Sequence, residues 1–478
     1  MLARNEEREA MQALLASAAR HAGAFRTADP LRHAPSFTYE EAVAAFDGAL
    51  SEEGEPAGEV LDDLVRRAVP GLSATTGPRF FGWVIGGSHP VGLAADWLTA
   101  AWGQNAANHV AAPAAAAAET VAARWLLDAL RLPEEASVGF VTGATMANFV
   151  GLAAARGEVL RRVGWDVEED GLAGAPPLRV VIGDDAHASV FSALQYLGFG
   201  RSNLIRVATD AQGAMRADAF ERGVPESGPI IVVTQAGQIN TGAFDPHEAI
   251  VPLAKARGAW VHVDGAFGLW ARACPDTAEL AAGVELADSW ATDGHKWLQT
   301  PYDCGYAIVR DAEAHRQAMT IAASYLPPVS GTERDPSHYV PELSRRARGF
   351  ATWAMLRHLG RAGIAAMVAA NCDQARLMAE LLSAEPGIAV LNEVVLNQVL
   401  VRFGMDEDDD EAGDALTLAA ITAIQAEGTC FAGSSKWRGR WAMRISISNA
   451  ATTQEDIRLS AQAIIGCWRS VASSAARG

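Results

Sequence analysis

The residues best suited to chemistry stand at the ends of short apolar runs. Lys296 closes Asp293-Gly-His-Lys, directly after the run Ser289–Thr292. An amine there, flanked by His295 and Trp297, can shed part of its hydration and become nucleophilic, whereas a lone lysine is usually a solvated surface residue. Asp264 ends the run Trp260–Asp264, 32 residues before Lys296. Its carboxylate can hold a proton on an aromatic nitrogen, although Asp before Gly also suits a turn or a helix cap. Thr142-Gly-Ala-Thr145-Met-Ala-Asn148 joins a run to a long helical stretch. Free backbone N–H groups and a hydroxyl at such a helix start can receive a phosphate, but Gly and Thr are common capping residues too. His187, in Asp184-Asp-Ala-His-Ala-Ser189, carries an imidazole able to stack on an aromatic ring, or to serve only structure.

These residues need strands to present them. Seven β-rich runs, Val138–Thr142, Leu178–Gly183, Leu204–Ala208, Ile230–Thr234, Trp260–Asp264, Ser289–Thr292 and Gly305–Val309, alternate with helical stretches such as Thr145–Val163, His187–Leu197 and Pro246–Ala256. Near-continuous apolar strands separated by helices predict an α/β fold with a mainly parallel seven-stranded sheet covered on both faces. Ligands in such folds collect at the carboxyl ends of the strands, where the four elements above all fall. Residues 1–76 read as an N-terminal helical segment and 77–320 as the large domain. Residues 321–345, rich in Pro and Gly, read as a mobile active-site loop, and 346–478 as a smaller C-terminal α/β domain. In that last part helices are expected at Arg346–Leu359, Ala365–Leu382, Ala415–Ala426 and from Gln454, with strands at Val394–Phe403 and Trp441–Ile447. The acidic run Asp406–Glu411 reads as a solvated loop.

Composition narrows the function. The 478 residues carry 57 acidic and 39 basic side chains, a formal net charge of -18, which argues against nucleic acid as a partner. The charged start Met1-Leu-Ala-Arg-Asn-Glu-Glu lacks a secretory apolar core, and the small-residue tract Ala111–Ala118 is too short to span a bilayer. Five scattered cysteines, none in a CxxC pair, fit a reducing compartment and provide no metal or disulfide framework. A cytoplasmic protein with no membrane partner and no metal is expected.

Taken together, the phosphate-cradle segment, the histidine, the aspartate and the lysine resemble the fold type I pyridoxal 5′-phosphate (PLP) enzymes, and specifically the group II amino-acid decarboxylases. The resemblance runs through nearly the whole chain. It includes Gly77-Pro-Arg-Phe-Phe-Gly-Trp83, Gly92–Glu119, Thr234–Pro246, Asp288–Leu298 with Asp303-Cys-Gly, Ser344-Arg-Arg-Ala-Arg348 and Arg444-Ile-Ser-Ile-Ser-Asn449. Two departures stand out: Gly294 replaces the usual proline before His-Lys, and Ala144-Thr145 replaces the usual Gly-Ser.

The resemblance implies roles. Lys296 would carry PLP as an imine, Asp264 would pair with the pyridine nitrogen, His187 would stack on the ring and Ala266 would support the opposite face. Gly143, Ala144, Thr145 and His295 would hold the phosphate, with Ser289 or Thr292 as a further donor and Thr234 among the cofactor contacts. Arg444 would receive the substrate carboxylate, a structural salt bridge being its alternative, and Phe81 and Trp83 would face the substrate. The implied reaction is decarboxylation of an L-amino acid to the amine and CO2, through a Lys296 aldimine and a quinonoid. An aromatic or bulky substrate is expected first and an acidic one next. Tyr339, with Tyr325 as second choice, would return the proton to the α-carbon. A fold type I aldolase or aminotransferase uses the same cofactor set, and a PLP-binding protein without turnover is a further alternative. The family implies a homodimer with sites at the subunit boundary, Ala101–Ala118 contributing.

Overall fold

The computed structural model describes residues 2–28, 33–320, 334–404 and 410–477. Its centre is a seven-stranded sheet of β1 (Ser137–Val141), β2 (Arg179–Gly183), β3 (Leu204–Val207), β4 (Ile230–Gln235), β5 (Trp260–Asp264), β6 (Ser289–Asp293) and β7 (Gly305–Val309). The spatial order is β1-β7-β6-β5-β4-β2-β3. β3, β2, β4, β5 and β6 pair in parallel, and β7 runs antiparallel to both neighbours. The expected α/β class and mainly parallel sheet are therefore what the chain forms.

Alternation of side chains explains why both faces are covered. Along β4, Ile230 and Val232 enter one apolar cluster while Ile231 and Val233 enter another on the opposite face. A period of two along uniformly apolar strands leaves no wet side, so helices pack on each face. Helix Ala144–Arg161 packs on β7 and β6 and presses its Asn148 onto His262 of β5, whose ring also meets the Ser289 hydroxyl.

A second, antiparallel sheet contains β8 (Ile388–Val390), β9 (Gln398–Phe403), β10 (Gly433–Trp437) and β11 (Arg440–Ser446), in the order β10-β11-β9-β8. β8 and β10 were not expected from sequence; both are short, and β10 (Gly-Ser-Ser-Lys-Trp) has little apolar patterning. Helices Asp410–Glu427 and Gln454–Ala475 and the long element Gly349–Ser383 surround this sheet. Gly360, at φ 59°, breaks Gly349–Ser383 close to the gap expected between two helices. Asp410 and Glu411 of the acidic run open a helix rather than sitting in a loop; the run's earlier residues lie outside the described ones, as do residues 321–333 of the expected loop, Tyr325 among them. Among the described residues no helix is long and apolar enough to cross a membrane, and no His, Cys, Asp and Glu cluster is arranged to hold a metal.

Candidate active site

The carboxyl ends of β5 and β6 bring the central residues together. β5 ends at Asp264, a buried carboxylate whose Oδ1 accepts the Ala266 N–H at 3.2 Å. β6 ends at Asp293, and the following turn carries Lys296. That turn is held firmly. Gly294 and His295 donate their N–H groups to the Cys304 carbonyl at 3.0 and 3.1 Å, and the buried Trp297 indole donates to Asn371 at 3.0 Å. A side chain at position 294 would collide with the Tyr306 hydroxyl and lie 2.8 Å from that of Thr300, which accounts for glycine where a proline is usual.

The electrostatics tie four elements into one site. Burial pushes the Asp264 carboxyl upward, while His187 and then Lys296 oppose that shift by favouring the charged form. Burial lowers the His187 imidazole; Asp264 pulls it up, and Lys296 and Arg444 push it further down. His187 thus lies within the fields of Asp264, Lys296 and Arg444, although they come from separate parts of the chain. His187 also caps its own helix, its Nδ1 accepting the Ser189 N–H at 3.3 Å. Burial lowers the Arg444 guanidinium to about 10, and among the described residues it has no carboxylate partner and makes no hydrogen bond. The salt-bridge alternative for Arg444 thus finds no support here.

Helix Ala144–Arg161 starts beside this group with no side-chain cap from Gly143. Its Ala144 N–H is taken by the buried Asp293 carboxylate, while Thr145, in the same first turn at the positive end of the helix dipole, is exposed. Gly143 is packed so tightly that a β-carbon there would lie 3.0 Å from the His295 ring, and one on Gly305 would lie 2.5 Å from Gly143 Cα. Glycine at both positions thus lets the His295 ring and the Asp293 carboxylate close on the start of this helix.

Asp293 and Tyr302 were not given roles by sequence reasoning. Asp293 Oδ2 lies 2.9 Å from Lys296 Nζ, and its Oδ1 accepts the Ala144 N–H at 2.6 Å. Its place three residues before Lys296 at a strand end was the available signal. Tyr302 packs on His295 with ring centroids 4.2 Å apart. Burial, and then Asp293, push its phenol up to about 12, although half of the residue's surface stays open to solvent. Its signal was weaker, since only the folded turn returns it to His295.

Other expectations need correction. Ser289 stands at the amino end of β6, about 13 Å of strand from Asp293, and its hydroxyl is committed to Trp260 and His262 at 2.8 Å each. Phe81 is fully buried in the apolar cluster of the second sheet, where a substrate does not reach. Tyr339 packs its ring on His315 at 5.1 Å, beneath the Arg334 guanidinium at 4.2 Å. Its carbonyl abuts Gly139 in the middle of edge strand β1, and no contact joins it to Lys296, Asp264 or His187 among the described residues. Trp83 is exposed at φ 52°, beside the stacked pair Phe80 and Phe431. Thr234 and Thr292 are buried and donate to the carbonyls of His262 and Ala266 at 3.4 and 3.5 Å.

A lysine turn at a strand end, a buried carboxylate able to hold a ring proton, an imidazole and a helix start with an exposed threonine in its first turn are those of a fold type I PLP-dependent enzyme, and these groups fit the aldehyde, ring nitrogen and phosphate of PLP. The family model described as "Pyridoxal-dependent decarboxylase conserved domain" matches residues 40–404, and the chain belongs to that family. It is 26% identical over 420 residues to a phenylacetaldehyde synthase of Arabidopsis thaliana, covering 84% of each chain. It is 30% identical over 374 residues to an aromatic-L-amino-acid decarboxylase of Cavia porcellus, covering 74% of this chain and 76% of the relative. The structure of Oryza sativa TDC with PLP and tryptamine has the same fold, with TM-score 0.88 and 23% identity, over 97% of this chain and 98% of that one.

Proposed function

We propose that this chain decarboxylates an L-amino acid with an aromatic or other bulky side chain, releasing CO2 and the amine. The observation that carries the reading is the Arg444 guanidinium, partly buried without a carboxylate partner among the described residues and acting on His187 through its charge. A cation so placed favours a ligand carboxylate.

PLP, when bound, supplies an aldehyde that condenses with amines and a ring that accepts an electron pair from the α-carbon. Lys296 is the amine for its attachment. Asp264, pushed upward by burial, is suited to sharing a proton with a ring nitrogen: a cation beside it restores the ionised carboxylate and keeps that proton in place. The His187 imidazole offers a flat face next to Asp264. The exposed Thr145 hydroxyl and the first-turn N–H groups beyond Ala144 offer donors to a phosphate. Arg444 orients the substrate by its carboxylate.

The aromatic preference rests on the relatives' names and on Trp83 and Tyr302, two exposed aromatics in segments near the lysine turn; an acidic substrate is the next class. Homodimer formation is supported by the exposed Trp97, Leu98, Trp102 and Val110, large apolar side chains that water alone leaves uncovered. Because a relative is named an aldehyde synthase, the test must follow more than one product. Purified protein with PLP is incubated with a panel of L-amino acids while CO2, amine and aldehyde are measured. CO2 with an equal amount of amine from aromatic substrates, abolished in Lys296→Ala, is expected. Amine transfer to an oxo acid without CO2 would overturn the reading in favour of an aminotransferase.

A further inference from the structure

Asp293 is an acid that the proposed reaction does not require. Its side chain is 2% exposed, yet both oxygens are engaged. Oδ2 lies 2.9 Å from Lys296 Nζ. Oδ1 accepts the Ala144 N–H at 2.6 Å and lies 3.6 Å from His295 Nε2. The backbone on either side is pinned: the Asp293 N–H donates to the Ala266 carbonyl at 2.9 Å, and its carbonyl accepts the Trp270 indole N–H at 3.0 Å. Room for the carboxylate comes from two glycines, since β-carbons on Gly143 and Gly305 would lie 3.2 and 3.0 Å from Oδ1. The fold thus builds a seat for this anion against the lysine nitrogen.

We infer that Asp293 is the counter-ion of the Lys296 nitrogen and keeps it protonated when the cofactor is attached, a role distinct from that of Asp264; this rests on the PLP reading of the site. An opposite charge at hydrogen-bond distance in a poorly hydrated site favours the protonated nitrogen. The other charged groups facing the pair pull in different directions. Asp264 adds negative charge, the Arg444 guanidinium, charged throughout, acts on neighbouring His187, and His187 and His295 add positive charge only when protonated, which burial opposes. Tyr302 and Tyr306 also feel Asp293, and both phenols are held up in their protonated, neutral form. Asp293 is therefore the anion in direct contact with Nζ. Its second oxygen makes the same carboxylate a ligand of the helix start that faces the phosphate, so lysine and cradle are mechanically joined.

The test uses the holoenzyme and its visible absorbance, which reports whether the cofactor-bound nitrogen carries a proton. Borohydride reduction and peptide mass first establish attachment to Lys296. The absorbance is then titrated with pH in the wild type and in Asp293→Asn, which keeps an acceptor for the Ala144 N–H but removes the charge. The midpoint is expected to fall by about one pH unit or more in the variant. Equal midpoints with attachment intact would overturn the counter-ion role alone, whereas absence of label on Lys296 would overturn the cofactor reading beneath it. Should Asp293→Asn fail to fold, the wild type still decides: persistence of the protonated form to about pH 9 is expected, and a midpoint below about pH 7 sinks the inference.

Discussion

A β-carbon on Gly86 would run into the carbonyl oxygen of Lys296 and stand 2.6 Å from that of His295. The segment leading from Gly77 into helix Pro90–Trp102 therefore lies directly on the lysine turn. It holds that course with Trp83, Val84 and Ser88 at positive φ. Gly86→Ala should destabilise the protein by about 2–3 kcal/mol and loosen the cofactor, because backbone rather than a flexible side chain must yield. Denaturant unfolding and PLP titration of the same variant check both effects. An unchanged midpoint would show that the segment can lift away freely.

Arg444 offers a sharper test of substrate handling. Arg444→Met should lower kcat/KM about 100-fold or more while leaving the visible cofactor absorbance in place. Arg444→Lys should recover only part of that loss, since a point charge cannot grip a carboxylate in two places. Steady-state kinetics beside an absorbance spectrum separates the two effects. Loss of cofactor in the Met variant would reassign the guanidinium to cofactor binding.

In the proposed reaction two phenols are candidates to return a proton to the α-carbon. Tyr302 stands on His295, whereas Tyr339 is engaged with His315 and Arg334 at the sheet edge. Tyr302→Phe should cut amine formation at least about tenfold or divert product to aldehyde. Tyr339→Phe should keep amine yield within about twofold. Product ratios from the two variants, measured side by side, decide; the reverse pattern would restore Tyr339.

Acid should destabilise this fold strongly. Burial lowers His247, His262 and His315 each to about 3. Unfolded histidine binds its proton near pH 6.5, so the stability these rings contribute is present above that pH and is lost as pH falls toward 3. Asp245 acts in the opposite sense. Burial raises it to about 7, so its contribution is full below the unfolded carboxylate range and lost as pH rises through 7. Three protons against one leave a net slope of about 3 kcal/mol per pH unit near pH 5 from these four groups. His247→Leu should flatten the slope by about 1.4 kcal/mol per pH unit. Urea midpoints at several pH values between about 5 and 7 provide the check.

The sheet was readable from sequence because its strands are buried on both faces. Uninterrupted apolar runs such as Ile230–Thr234 admit few other structures, and each of the seven expected runs became a strand within a residue or two at either end. The strands of the second sheet were harder. β10 alternates exposure and carries Ser, Ser and Lys, so it is a strand only because β11 pairs with it.

For the site, local pattern singled out Lys296, Asp264, His187 and the helix start at Ala144, and each does end or follow a strand and so falls at the carboxyl edge of the sheet. What sequence could not decide was which of the nearby groups actually meet. Asp293 was in view from the start, but its contact with Lys296 depends on a turn pinned by Cys304, Trp270 and Asn371, and on glycines contributed from two other strand ends. Ser289 and Tyr339 looked equally eligible until the direction of β6 and the packing of His315 carried them elsewhere. Residue type and strand order are local properties written into the chain. Distances of a few ångströms between side chains are set by packing across the whole sheet, and only the tertiary structure decides them.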